Sequence, residues 1–174
     1  MSEPAATASG RCLTFGLGGE LFAVDIACVR EILDMTGITR IPHAPGAVRG
    51  VVNVRGAAVP VIDLRLLCGM SQAERTVHTR IIIVEIERNG SLTAVGAVAD
   101  SVKDVLDFPR ESISPPPSMG AAVEPGLLIG VGKAGGRFVL ILDIAKVLAI
   151  DDSPPISGLT AAPSRTGALS PQRG

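Results

Sequence analysis

Apolar positions along the chain fall mostly in short alternating or β-branched runs punctuated by glycine, a pattern that predicts many short strands and few helices. Arg11–Leu17 alternates and stops at Gly18-Gly19, a hairpin signal, with Glu20–Asp25 as the returning strand. Gly50–Val54 and Ala57–Leu64 are aliphatic runs separated by Arg55-Gly56, where Gly56 is expected at positive φ. Arg80–Glu87 and Leu92–Ala99 flank Asn89-Gly90, the strongest short hairpin signal present. Leu127–Val131 and Arg137–Leu142 flank a further glycine-rich turn. Helical pieces are predicted only at Ile26–Leu33, Ser101–Leu106 and Ile144–Leu148. Pro60 cannot donate to a ladder, so its position reads as an edge or a bulge. Residues 109–125 hold five prolines and read as a loop.

The pattern repeats. Val29-Arg30-Glu31-Ile32-Leu33-Asp34 returns 73 residues later as Val102-Lys103-Asp104-Val105-Leu106-Asp107, each copy preceded by Ala-Val. Val61-Ile62-Asp63-Leu64 returns 80 residues later as Ile141-Leu142-Asp143-Ile144. Two matches in the same order at similar offsets point to two related β subdomains. Residues 1–10 and 152–174 lack apolar periodicity, and the second stretch is rich in Pro, Ser and Gly. Both are expected to be disordered tails, which leaves 11–151 for the fold.

Composition narrows the chemistry. Of 174 residues 47% are hydrophobic and 19% charged, enough apolar material for a core. The 16 basic residues are balanced by 17 acidic ones, which offers no basic field for a nucleic-acid backbone, and four Phe without Trp or Tyr provide no stacking platform. Cys12, Cys28 and Cys68 form neither a close pair nor a CxxC motif and read as small core residues in a reducing compartment. The N-terminus has no basic-then-apolar signal, and no apolar run approaches the ~18 residues of a membrane span, so a cytoplasmic protein without direct membrane insertion is expected.

Catalytic signatures are weak. Gly130-Val131-Gly132-Lys133-Ala134-Gly135 spells GxGxxG, but the strand-like Arg137–Leu142 follows it where a dinucleotide site requires a helix, so a hairpin is expected. Asp63 and Asp143 lack the Thr-Gly or Ser-Gly context of an aspartic-protease dyad and read as helix N-caps. His43 and His78 stand far apart with no ligand cluster, and no GxSxG elbow occurs. No enzyme activity, metal or cofactor is expected.

The segment from Ile41 to Leu67 is the most distinctive. A proline-containing approach leads to Gly50, then Asn53-Val54-Arg55-Gly56, then Val59-Pro60-Val61-Ile62-Asp63-Leu64. Aliphatics, glycines and prolines follow from strand and turn physics; a cation at the turn tip does not. This segment resembles the CheW family of chemotaxis coupling proteins at Gly50, Asn53, Arg55, Gly56, Pro60, Asp63 and Leu64. The likeness extends to Phe15–Leu33, to Val95–Leu106, where Asp100-Ser101-Val102 fits a Val-Asp-x-Val pattern with Ala99 in first place, and to Gly126–Leu148. The loop at Pro115-Pro116-Pro117 and the C-terminal tail depart from it, and a kinase or a receiver-fused coupler is not expected.

The resemblance implies a mainly β fold of two SH3-like five-stranded β-barrel subdomains with a few short helices. It implies a non-catalytic adaptor, recruited to membrane receptor arrays, that joins the cytoplasmic tip of a methyl-accepting chemoreceptor to the regulatory domain of a CheA-type histidine kinase. A CheW-like coupler of a non-flagellar array, for twitching motility or second-messenger signalling, is the alternative. Val29 with Ile32, and Val102 with Val105, share a face if their segments are helical, and at least one pair is expected to line the groove between the barrels. The resemblance places Arg55 on the receptor- and kinase-facing surface with Asn53 and Gly56, and Glu31 is the carboxylate expected to pair with it.

Overall fold

The computed structural model describes residues 10–35, 37–42, 46–71, 73–88, 90–116 and 125–149. The predicted tails, apart from Gly10, lie outside these residues, as do His43, Pro45, Asn89 and Pro117. Eleven strands form: β1 (Arg11–Leu17), β2 (Glu20–Asp25), β3 (Val29–Asp34), β4 (Thr39–Arg40), β5 (Val48–Val54), β6 (Ala57–Asp63), β7 (Arg80–Arg88), β8 (Ser91–Ala99), β9 (Ser101–Asp107), β10 (Leu128–Ala134) and β11 (Arg137–Leu142). Two short helices, α1 (Leu64–Leu67) and α2 (Ile144–Ala149), follow β6 and β11.

Two of the three predicted helices are strands. Ile26–Leu33 is a single 3-10 turn, Ile26–Cys28, that opens directly into β3, and Ser101–Leu106 lies within β9. β-Branched Val and Ile favour the pleated surface, and pairing to β7 and β1 decides the outcome. Pro60 also departs from expectation. β6 is an interior strand between β5 and β8, and pairing with β8 begins only at Val61, one residue past the proline.

One sheet has the order β10-β11-β2-β1-β9 and the other β3-β7-β8-β6-β5-β4. The repeat maps β1, β2 and β3 onto β7, β8 and β9, and β5 and β6 onto β10 and β11. Each sheet therefore combines strands from both halves, and five strands of each occupy equivalent places. The correspondence reaches single bonds: β2 and β8 each pair in parallel with the last strand of the other half, and the Asp63 and Asp143 amides donate to Ala47 and Leu127 carbonyls, both at 2.9 Å. Asp63 caps α1 by accepting from the Arg65 amide, and Asp143 accepts from the Lys146 amide. The second sheet counts six strands because the two-residue β4 adds to its edge.

Both sheets curl. Glu31 on β3 and Arg55 at the β5–β6 turn belong to strands four places apart, about 19 Å in a flat sheet, yet their side chains meet at 3.2 Å. In the first sheet the Phe108 ring, just past β9, lies so close to Gly132 of β10 at the opposite edge that a Cβ there would come within 2.5 Å of it. Each curl encloses a small core: Val52, Val61, Ile81 and Ile83 in one, Cys12, Ala23, Val139 and Ile141 in the other. The largest core lies between the sheets, where Phe15, Phe22, Leu17, Ile62, Ile82 and Val84 pack with both helices. Phe15 and Phe22 stack with ring centres 6.1 Å apart. Burial of large aliphatic and aromatic side chains, at about 1.5–3 kcal/mol each, makes this seam the main source of cohesion.

Candidate functional site

The β5–β6 hairpin closes through Arg55 and Gly56, which follow the Val54–Ala57 pair. Both turn residues have positive φ, 52° for Arg55 and 87° for Gly56, as a type I′ turn requires. The hairpin turns of β1–β2 and β10–β11 use Gly18-Gly19 and Gly135-Gly136, also at positive φ. The last of these is the hairpin expected at the GxGxxG run. Arg55 is the one non-glycine residue at positive φ among the described residues. A side chain in the left-handed region costs roughly 1–2 kcal/mol, so Arg55 occupies a position that glycine would fill more cheaply.

That guanidinium is oriented. Arg55 Nε donates to Glu31 Oε2 at 3.2 Å; the arginine side chain is 77% exposed and the glutamate 25%. Asn53 Oδ1 accepts the Gly56 amide at 3.0 Å and fixes the turn. Glu31, Asn53, Arg55 and Gly56 thus come together at one end of the second sheet. A partly exposed ion pair adds about 0–1 kcal/mol, so the cluster positions a cation more than it holds the fold.

Val29 and Ile32 do share a face, for a reason other than helical spacing. β3 carries a bulge at Arg30: Val29 pairs with Val84 but Glu31 with Ile83, so the extra residue returns Ile32, opposite Ile82, to the side on which Val29 lies. Ile82 and Val84 face the inter-sheet core. β9 repeats the device, with Val105 opposite Leu13 and Val102 opposite Phe15, both partners in the same core. Here the Thr14 hydroxyl donates to the Asp104 carbonyl at 2.7 Å and accepts from the Asp104 amide at 3.0 Å. Val29 and Val102 are half-buried against the core, while Ile32 is 40% and Val105 38% exposed. Each pair follows an end strand of its sheet along the margin of the seam. The two pairs belong to different sheets, and Glu31, which meets Arg55, lies between Val29 and Ile32 on β3.

Sequence reasoning missed a second polar cluster. Arg65 of α1 forks onto Asp100 between β8 and β9, with Nε to Oδ1 at 2.9 Å and Nη2 to Oδ2 at 2.8 Å, and the Gly18 amide also donates to Oδ2 at 2.8 Å. The carboxylate thereby ties the first sheet's β1–β2 turn to the second sheet's helix. Burial pushes the Asp100 carboxyl up, but the hydrogen bonds from Arg65 and Gly18 and the Arg65 charge outweigh it and hold it below the ordinary carboxylate range. Asp in both repeats at strand ends was the available signal; the contact partner, far away in sequence, was not.

Cys12 and Cys68 are buried and Cys28 half-buried, and no disulfide joins them. Burial raises the Cys68 thiol to about 11, which leaves it protonated at neutral pH. Among the described residues no three His, Cys, Asp or Glu side chains gather as a metal site, and no helix is long and apolar enough to cross a membrane.

Residues 11–152 match the family model for the CheW-like domain. A chemotaxis protein CheW from Klebsiella aerogenes is 35% identical over 140 residues, covering 80% of this chain and 82% of that protein. One from Rhizobium meliloti is 34% identical, covering 80% and 88%. Protein FrzA from Myxococcus xanthus is 32% identical, covering 77% and 82%. The crystal structure of the scaffolding protein TtCheW from Thermoanaerobacter tengcongensis superposes with a TM-score of 0.72 at 30% identity, covering 83% of this chain and 90% of that one.

Proposed function

The chain belongs to the family of CheW-like domain proteins, and on that premise we propose that it is a non-catalytic adaptor coupling the cytoplasmic tips of chemoreceptors to the regulatory domain of a CheA-type histidine kinase. The observation that carries this reading is Arg55, an exposed guanidinium held in left-handed backbone and aimed by Glu31. Packing has no use for a cation there, and a glycine would make the turn more cheaply. The fork remains available to a carboxylate or carbonyl on a partner.

The apolar margin supplies the other half of the reading. A receptor tip is a helical hairpin, and a helix docks by laying apolar anchors into a groove. Ile32 and Val105 are exposed aliphatics beside half-buried Val29 and Val102, a surface with room for such anchors. Asn53 and Gly56 act by holding the turn that presents Arg55. Each sheet, curled on its own core, takes the part of an SH3-like barrel. An adaptor for an array with non-flagellar output would use the same surfaces.

The test is a pull-down with the full chain as bait against the organism's CheA-type kinase and receptor cytoplasmic fragments. Retention of both, with loss of receptor on Arg55→Ala, is expected. Retention of neither would overturn the adaptor reading, and retention of a kinase and receptor from a pilus or second-messenger system would assign the non-flagellar array.

A further inference from the structure

The second sheet carries a basic cleft at the end away from Arg55. Met35, Ile38, Arg40, Arg49, Glu74 and Arg75 line a cavity of about 690 Å³. Arg49 and Arg55 are six residues apart along β5 and its turn, roughly 20 Å at strand rise, so the cleft is distinct from the cluster described above.

Its guanidiniums are held in place from behind. Arg49 Nη1 donates to Asp63 Oδ2 at 3.0 Å, and Asp63, 2% exposed, uses its other oxygen on the Arg65 amide at 3.0 Å. Arg75 Nη1 donates to the Met35 carbonyl. β4 lies directly on the β5 backbone, since a Cβ at Gly50 would come within 2.2 Å of the Thr39 carbonyl, and this fixes Arg40 beside the cleft. The Arg40 side chain has no hydrogen-bond or ion-pair partner among the described residues. A guanidinium has five N–H donors, and Arg49 and Arg75 each commit one nitrogen, so most of the donors remain unused.

We propose that this cleft binds an organic phosphate dianion of nucleotide size. Three guanidiniums outnumber the lining carboxylate of Glu74 and the Asp63 carboxylate behind Arg49, which leaves the site a net charge of +1 to attract a phosphate monoester. Arginine forks match phosphate oxygens in pairs. Ile38, half-buried, offers an aliphatic surface to a planar base, and Met35, buried in the core of this sheet, backs it. The volume falls within the roughly 300–1,000 Å³ usual for small-molecule sites.

The experiment is a titration of the full chain, labelled with ¹⁵N, with adenosine 5′-monophosphate, followed by amide shifts. Saturable shifts at Met35, Ile38, Arg40 and Arg75 are expected. Adenosine should leave them still, and inorganic phosphate should act about tenfold more weakly, having lost the apolar contact. Arg40→Glu, an exposed change with melting as the control, should weaken binding about tenfold or more, the cost of a charge-assisted bond. Glu74→Gln should tighten it, because the opposing charge is gone. Absence of saturable shifts at roughly 10 mM nucleotide, where affinity would be below about 3 kcal/mol, overturns the proposal. So do an unchanged response in Arg40→Glu and a cleft that answers to an acidic peptide while silent to the nucleotide.

Discussion

Replacing Arg55 by glycine separates the shape of the turn from the cation it carries. Arg55 has φ 52°, so glycine removes roughly 1–2 kcal/mol of left-handed strain. Against this stand the ion pair with Glu31, worth about 0–1 kcal/mol at this exposure, and the extra freedom glycine gives the unfolded chain, about 0.4–1 kcal/mol. The terms nearly cancel, and Arg55→Gly should melt within a few degrees of wild type. Arg55→Ala keeps the strain and loses the pair. It should therefore melt below Arg55→Gly, by roughly 2–4 °C for each kcal/mol in a chain of this size. Both variants should fail to couple receptor to kinase, measured as receptor-stimulated autophosphorylation in a reconstituted ternary complex, and Arg55→Lys should recover only part of it because a point charge lacks the planar fork. Full activation by Arg55→Gly would refute the contact role and leave Arg55 as a solvated turn residue. A glycine variant less stable than the alanine variant would refute the strain argument.

Further consequences concern the seam and its margins. Ile32→Asp and Val105→Asp, at exposed positions, should leave melting nearly unchanged and lower receptor-fragment affinity in calorimetry; Val29→Asp and Val102→Asp should instead cost roughly 1–3 kcal/mol of stability, because they bring charge against the core. Since the Asp100 carboxyl is held below its unfolded value near 3.9, its contribution is fully present above about pH 4 and is lost as pH falls through the folded value. Asp100→Asn should flatten the acid limb of a melting-temperature profile without changing its slope at neutral pH. Gly130→Ala should destabilise by roughly 1–3 kcal/mol in urea unfolding, since its Cβ would come within 2.4 Å of the Ile113 side chain and 2.6 Å of the Ser114 carbonyl.

Much of the architecture was legible because strands and hairpin turns are local. Gly18-Gly19, Arg55-Gly56 and Gly135-Gly136 mark their turns by φ requirements that glycine meets most cheaply. The segments misread as helix fail for an instructive reason. A bulge inserts Arg30 into β3, and Val29 and Ile32 then recur at three, the spacing of a helix face. Pairing to β7, about 50 residues away in sequence, distinguishes the two cases and is invisible in a single window. The repeat foretold two units but not their exchange of strands, which follows from the parallel pairings of β6 with β8 and β11 with β2. Glu31 as the partner of Arg55 was legible as opposite charges within a resembling pattern; the left-handed backbone of Arg55 comes from the tight β5–β6 turn, whereas the fork of Arg65 on Asp100 depends on a tertiary contact.

The adaptor claim meets its most direct test in kinase autophosphorylation with receptor fragments, with and without the full chain. The account predicts that receptor-dependent activation appears only when kinase, receptor and chain are all present, and that Arg55→Gly abolishes it while the protein stays folded. Activation of equal size without the chain, or none at any concentration of a chain that is folded by melting, would contradict it.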